Sequence, residues 1–395
     1  MRPALTLTAI TLSVAACGAP TPSSPASCRA LADGRLVRAV DRGVLTVVSV
    51  TPRYDGGRIH ELSLADLRAT ALPLEATGDT VVRPMGEGLA VLHRAIGDQD
   101  NLTLFARDAS GAPLTCQVPL LTEEEARGAG PRPYVNAHDV IALDAGTVLV
   151  ARHGLSSLVV VDVATGRVTR AVDLTPFAGG ARGAFPDAIA RVGPELWVTL
   201  ARHDNLDRSN VHGAVARLDP RTLAVVGLIE LPRSNPYGPI HGSPDGTQRW
   251  VTTVGSYNTV GDGAVEVIDV ATGRVLDPLV TESEVGGNLD AVTALDARRV
   301  VLRVTAERVG TGAIDDLRLV VFDRVSRTST TLLRMASWGA AAPVVAGGRV
   351  FAGDPGRGAF REGAGLRVFT LEGAPVGDGF VRLGDGLMPY DVQAR

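Results

Sequence analysis

Short runs rich in Val, Ile and Leu alternate with polar positions along almost the whole 395-residue chain, and Gly, Asp and Pro separate them. No long stretch carries the apolar period of about 3.6 residues that marks an amphipathic helix, so the pattern predicts many evenly spaced strands and an all-β fold. One phrase stands out. DVATGRV occupies residues 162–168 and returns unchanged at 269–275, and neither copy holds a nucleophile, a metal-ligand pair or a phosphate-cradling loop.

The phrase recurs in looser form as IHELSLADLRATALPL, LTLFARDASGAPLTCQV, VARLDPRTLAVVGLIEL, LVVFDRVSRTSTTLL and LRVFTLEGAPVGDGFVRL. Its anchors at the end of the preceding strand are Ser63, Ala106, Asp162, Asp219, Asp269, Asp323 and Thr370, spaced 43 to 57 residues apart. A period of that size with four strands per unit predicts a seven-bladed β-propeller of four-stranded antiparallel blades. In the third unit the strands read 138–143, 146–152, 157–163 and 167–174, which makes DVATGRV the hairpin between the third and fourth strands. There Asp accepts turn N–H groups, Thr helps to close the turn and Gly supplies a positive φ.

Valine-rich strands with D-x-x-T-G-x hairpins, preceded by inner-strand starts such as FPDAIARVGPELWVT and HGSPDGTQRWVT, resemble the seven-bladed YVTN-type propellers of bacterial surface and periplasmic proteins. The resemblance covers residues 35–395 and implies fold far more than function. The D-x-x-T-G element is also similar to that of quinone-binding alcohol-dehydrogenase propellers, but the docking tryptophans of that family are missing, since Trp197, Trp250 and Trp338 lie elsewhere. The ring has two readings for its closure. MPYDVQAR at the C-terminus matches the inner-strand starts and is the favoured closing strand, while residues 35–48 also read as inner strand, turn and second strand.

Before the propeller stand residues 1–16, with Arg2 followed by the uncharged run Ala4–Ala16, too short to cross a bilayer. Val14-Ala15-Ala16-Cys17 resembles the lipobox of bacterial lipoproteins, which implies acylation of Cys17 and an exported, lipid-anchored protein; an ordinary signal peptide cut at an A-x-A-like site is the alternative. Gly18 after the cysteine leans toward an outer membrane. Residues 17–34 read as the lipidated cysteine and a flexible tether. Two further cysteines, Cys28 and Cys116, form either one disulfide, favoured by an oxidising compartment, or two structural thiols.

A net charge of −4 gives no basic field for nucleic acid. All 39 basic residues are arginine, so Schiff-base lysine chemistry and a Walker phosphate loop are excluded. Nor is there a haem, quinone or nucleotide motif, and no G-x-S-x-G elbow.

Loops entering the inner strands and loops between second and third strands share one propeller face, where ligand sites usually lie. The seven histidines fall there: His138 and His241 at inner-strand starts, His60, His93, His153, His203 and His212 at second-to-third connections. Ala-Arg-His occurs at 151–153 and 201–203, at points that look equivalent in neighbouring blades, and Asp139, Asp187, Asp290 and Asp391 begin four inner strands. The candidate ligand-binding set is therefore Arg152, His153, Arg202, His203, His138, Asp139, Asp187, His212, Asp290 and Asp391, with His138, His153 and His203 as candidate ligands of a divalent metal. A structural role competes for each, since inner-strand aspartates also bond the backbone of the adjacent blade. The expected function is a cell-envelope binding or scaffold module with a protein or small-ligand partner on the loop face. A lactonase-like metal-dependent hydrolase or a redox accessory protein is the alternative, for which no catalytic residue can be named.

Overall fold

The computed structural model describes residues 25–33, 35–37, 42–94, 101–128, 133–204, 211–257, 259–307, 314–335, 341–357, 362–384 and 386–395. Residues 1–24, with Cys17 and the leader, and Trp338 lie outside them.

Seven four-stranded antiparallel sheets are arranged as the blades of a β-propeller, with only short helices among the described residues. The third blade shows how the sequence writes each unit. Its inner strand is Ala137–Ala142, followed by Thr147–Arg152, Ser157–Asp162 and the outer Arg167–Asp173. Second and third strands are apolar on both faces, because each blade is packed between two others; Val148–Ala151 and Leu158–Val161 are all buried. The outer strand has solvent beside it, so Arg167–Asp173 holds no fully buried residue.

The repeated hairpin behaves as its residues dictate. Asp162 Oδ1 accepts the Thr165 N–H at 2.7 Å and the Thr165 hydroxyl at 2.6 Å, and Asp269 holds Thr272 in the same way at 2.8 and 2.6 Å. Gly166 and Gly273 follow at φ 64° and 68°. Blades 4 and 6 lack that glycine, and Leu223 and Arg327 take the left-handed position at φ 55° and 57°. The turn geometry therefore survives loss of the residue that most easily adopts it.

The C-terminal strand closes the ring. Met388–Ala394 is the inner strand of blade 1 and pairs with Val44–Val50, with Leu45 opposite Ala394 and Val50 opposite Met388. Beyond the ladder, Asp391 Oδ2 accepts the Val82 N–H of blade 2 at 2.8 Å, and the Val44 and Arg395 backbones bond each other in both directions.

The approach to the propeller differs from a free tether. Pro25–Arg29 is a short helix, Cys28 and Cys116 are joined by a disulfide, and Leu31 and Leu36 are fully buried with Cys28 in the core between blades 2 and 3. A Cβ at Gly166 would lie 2.9 Å from Cys28 Sγ, so the bridge sits against the blade 3 hairpin. Leu31, inside the segment read as tether, and Leu36, just beyond it, share one core with the bridged cysteines.

Removal of residues 388–395 strips blade 1 of its inner strand and the ring of its clasp. The truncated chain should lose a single cooperative thermal transition, read by circular dichroism; a melt like that of the full chain would show that closure does not depend on this strand.

Candidate functional site

Inner strands line the central channel, and the strand order puts the inner-strand entries and the second-to-third connections at one mouth. Asn136, Phe185 and Asn235, each at the entry to an inner strand, have φ of 44°, 50° and 56°. Their carbonyls accept the N–H groups of His153, Ala201 and Val254 in the outgoing segment. The left-handed residue lets the pair of strands continue their bonding past the sheet end, which brings the following side chains over the channel.

Ion pairs join the inner strands below the mouth. Arg83 Nε donates to Asp139 Oδ1 at 2.5 Å and its Nη1 to Asp391 Oδ2 at 3.3 Å. Asp139 Oδ2 also takes the Ile189 N–H of blade 4 at 2.7 Å, and Arg303 Nε donates to Asp290 at 2.7 Å. Burial pushes the Asp139 and Asp290 carboxyls up from the usual range, while Arg83 and Arg303 respectively pull them back down. Asp139, Asp290 and Asp391 are thus spent on joining blades and neutralising half-buried guanidinium groups.

Above them the mouth holds a cluster from blades 3 and 4. His138 Nδ1 meets Asp187 Oδ1 at 2.5 Å, and Asp187 Oδ2 accepts the Gly238 N–H at 2.8 Å. His153 lies in the turn His153–Leu155 with its Nδ1 3.2 Å from the Pro186 carbonyl oxygen. The His138 and His153 rings stack in parallel, centroids 4.0 Å apart and planes 4° apart. His203 meets His153 edge-on at 5.7 Å, and Phe185 closes the group at 5.3 Å from His153 and 5.4 Å from His203. Burial holds both stacked imidazoles well below the ordinary histidine range, with Arg94 adding to the effect on His138, and it raises Asp187. Neutral rings are what a close parallel stack requires, since two imidazolium rings there would repel. Across the mouth, Arg94 pairs with Asp79 at 2.6 Å, and the Tyr390 hydroxyl donates to the same Asp79 oxygen at 2.6 Å.

Several sequence expectations are corrected here. Arg152 is 2% exposed and turns away from the channel: it donates to Ser157 Oγ, the Leu120 carbonyl and Glu125 Oε2, the last at 2.6 Å. Arg202, 3% exposed, bonds the Phe177 carbonyl at 2.8 Å and the Glu230 carboxylate. Both guanidinium groups are drawn sideways by acids on flanking segments, Glu125 of the helix Glu123–Arg127 and Glu230 of an outer strand, so neither faces a ligand. The two Ala-Arg-His triplets do not occupy equivalent positions. Ala137 pairs with Arg152, whereas Pro186, its counterpart, pairs with Leu200, an offset of two residues. His212 is exposed, and its backbone carbonyl accepts from Arg202. His60 is buried within the strand Gly57–Ser63, its Nε2 3.0 Å from Ser49 Oγ, and is no part of the mouth. Phe185 is the residue that sequence reasoning missed; its place directly before the inner-strand start of blade 4 was the available signal.

No protein-family model and no curated protein sequence matches the chain. Solved structures do. A functionally unknown protein from Desulfotomaculum acetoxidans is 13% identical over 88% of this chain and 99% of its own, with a TM-score of 0.52. Dihydro-heme d1 dehydrogenase NirN is 14% identical over 90% and 76% at 0.48, and virginiamycin B lyase from Staphylococcus aureus is 12% identical over 80% and 84% at 0.46. The likeness is one of fold alone.

Two outcomes follow. Arg83→Met leaves the buried Asp139 and the half-buried Asp391 without their cation, which should cost up to about 3 kcal/mol in urea denaturation near neutral pH; an unchanged midpoint would show that the pairs carry nothing. Burial in the blade 1–2 groove lowers His93 from 6.5 to about 4. Its unfolded form then binds a proton that the folded form does not, so stability is intact above 6.5 and is lost as pH falls toward 4, by an amount on the order of 3 kcal/mol. His93→Gln should flatten that part of the stability profile, and an equally steep profile would exclude His93 as its source.

Proposed function

We propose that this chain is exported as a lipoprotein acylated at Cys17, and that its propeller, of the YVTN repeat type, is a binding module at the cell envelope whose ligand sits at the channel mouth. The observation that carries the reading is the convergence of His138, His153, His203, Phe185 and Asp187 at one mouth of the channel, beyond the Arg83–Asp139 ion pair. A scaffold alone needs no such group: blade joining is already done by Asp139 and Asp391.

The disulfide supports the orientation this reading needs. Residues 35–37 lie on the hairpin face, opposite the mouth: the Arg35 carbonyl accepts the Glu87 N–H at 2.8 Å, and Arg35 Nη1 donates to the Arg107 carbonyl at 2.7 Å. From Cys17 to Cys28 the chain can reach at most about 40 Å. An anchored protein then turns its hairpin face to the membrane and offers its mouth to whatever approaches from the other side.

In membranes of the native host, the wild-type protein should partition into detergent, while Cys17→Ala should be unprocessed or freely soluble. Acyl chains bury enough CH₂ groups, at about 0.8 kcal/mol each, to hold it. Wild-type protein found wholly soluble after export overturns the anchor. For the mouth, ligands found by thermal shift on the full chain should slow hydrogen exchange at 133–139, 153–155, 184–187 and 201–204. Protection confined to the hairpin face overturns the placement.

A further inference from the structure

We infer that the channel mouth binds one divalent transition-metal ion of the cobalt-to-zinc group, through His138, His153 and Asp187. The inference rests on the mouth being the ligand site. One ring nitrogen from each histidine and one carboxylate oxygen lie within 4.8 Å of one another. A tetrahedral ion with bonds of about 2.1 Å draws its ligand atoms to about 3.4 Å, so binding closes these separations by up to about 1.4 Å and requires one ring to turn.

The three residues come from three separate elements, the inner strand of blade 3, the turn after its second strand and the first residues of the blade 4 inner strand. Their approach is therefore set by the packing of two blades and not by local chain geometry. Two outer contacts are of the kind that aim ligands at a metal. The Gly238 N–H fixes the second oxygen of Asp187, leaving Oδ1 turned toward the histidines. The Pro186 carbonyl accepts from His153 Nδ1, which leaves the lone pair of that ring on Nε2. In neutral His138 the proton can reside on Nε2, and Nδ1 is then free to ligate beside Asp187 with no change in net charge.

Imidazole and carboxylate together select the class of ion. Ca²⁺ and Mg²⁺ take oxygen shells of about six or more, which two imidazoles and one carboxylate do not supply, whereas Co²⁺, Ni²⁺, Cu²⁺ and Zn²⁺ accept this mixture readily. Three protein ligands leave a position open to His203, whose ring is 5.7 Å from that of His153, or to an external ligand. The parallel stack adds a requirement. An ion lies in the plane of each imidazole that binds it, so two parallel rings cannot share one, and His153 must tilt out of the stack. It is the better placed to move, because its Nδ1 contact is 3.2 Å against 2.5 Å for His138.

The test uses the full chain in detergent, stripped with a chelator, and titrated calorimetrically with Zn²⁺, Co²⁺, Ca²⁺ and Mg²⁺. One Zn²⁺ or Co²⁺ per chain should bind at least about 100-fold more tightly than Ca²⁺ or Mg²⁺. Bound Co²⁺ should show visible d–d bands, and the histidine ring resonances of the Zn²⁺ form should show loss of the stack. His138→Ala and His153→Ala should each weaken binding by about 100-fold or more, and Asp187→Asn, which keeps an acceptor for Gly238, by at least about 10-fold. Melting curves establish that each variant is folded. His212→Ala, at an exposed histidine outside the three-residue ligand set, should bind as wild type does. Absence of stoichiometric binding, affinity unchanged in the His138 and His153 variants, or equal loss in His212→Ala overturns the metal site. If Zn²⁺ fails while organic ligands still slow exchange at the mouth, the metal assignment falls and the binding-module reading stands. Protection only on the hairpin face overturns that reading itself.

Discussion

One antiparallel ladder, Val44–Val50 against Met388–Ala394, joins the first and last strands of the propeller, and the rest of the molecule depends on it. The other six blades are each built from contiguous sequence, so each can form its hairpins locally. Only blade 1 asks distant residues to meet. Without that pairing the inner strands have no closed channel to line, and the apolar faces of blades 1 and 7 have no neighbour. Loop closure of this length costs only a few kcal/mol in chain entropy, which the burial of strand faces such as Val47, Val48 and Val392 can offset.

Closing the ring brings the inner-strand aspartates within reach of the next blade. Asp391 bonds the backbone of blade 2, Asp139 that of blade 4, and Asp187 the Gly238 amide at the start of blade 5. Arg83 balances two of these charges. Carboxylates drawn largely out of water along the channel would be destabilising without such partners, since removing an ionised group from water costs several kcal/mol. The same economy explains why the mouth differs from the channel below it. Asp187 shares Oδ1 with an imidazole and not with a guanidinium, and two stacked neutral rings stand where a cation would otherwise be needed.

Architecture was legible in the sequence because its signals are local. The 43-to-57-residue spacing, the alternation within each run and the Asp and Gly of the hairpin act over a few residues, and those hairpins form much as read. His138, His153 and His203 were picked out by the same logic, since their place at loop entries follows from the strand count. Arg152 and Arg202 were not legible as buried residues. Their neighbours in sequence look like loop, and the acids that capture them, Glu125 and Glu230, stand 27 and 28 residues away.

What the sequence by itself determined is the repeat, the strand count per blade, the hairpin chemistry and the loop entries that carry His138, His153 and His203. Only the tertiary structure decided which side chains meet. The offset of the two Ala-Arg-His triplets is invisible until Ala137 and Pro186 are seen opposite Arg152 and Leu200. Asp187 joins His138 across a blade boundary, while Asp139, one residue from His138, is taken by Arg83. The physical reason is that a side chain's partner across blades depends on register, on bulges and on the left-handed turns at Asn136 and Phe185, and these are set by the packing of whole sheets rather than by the residues next to it in the chain.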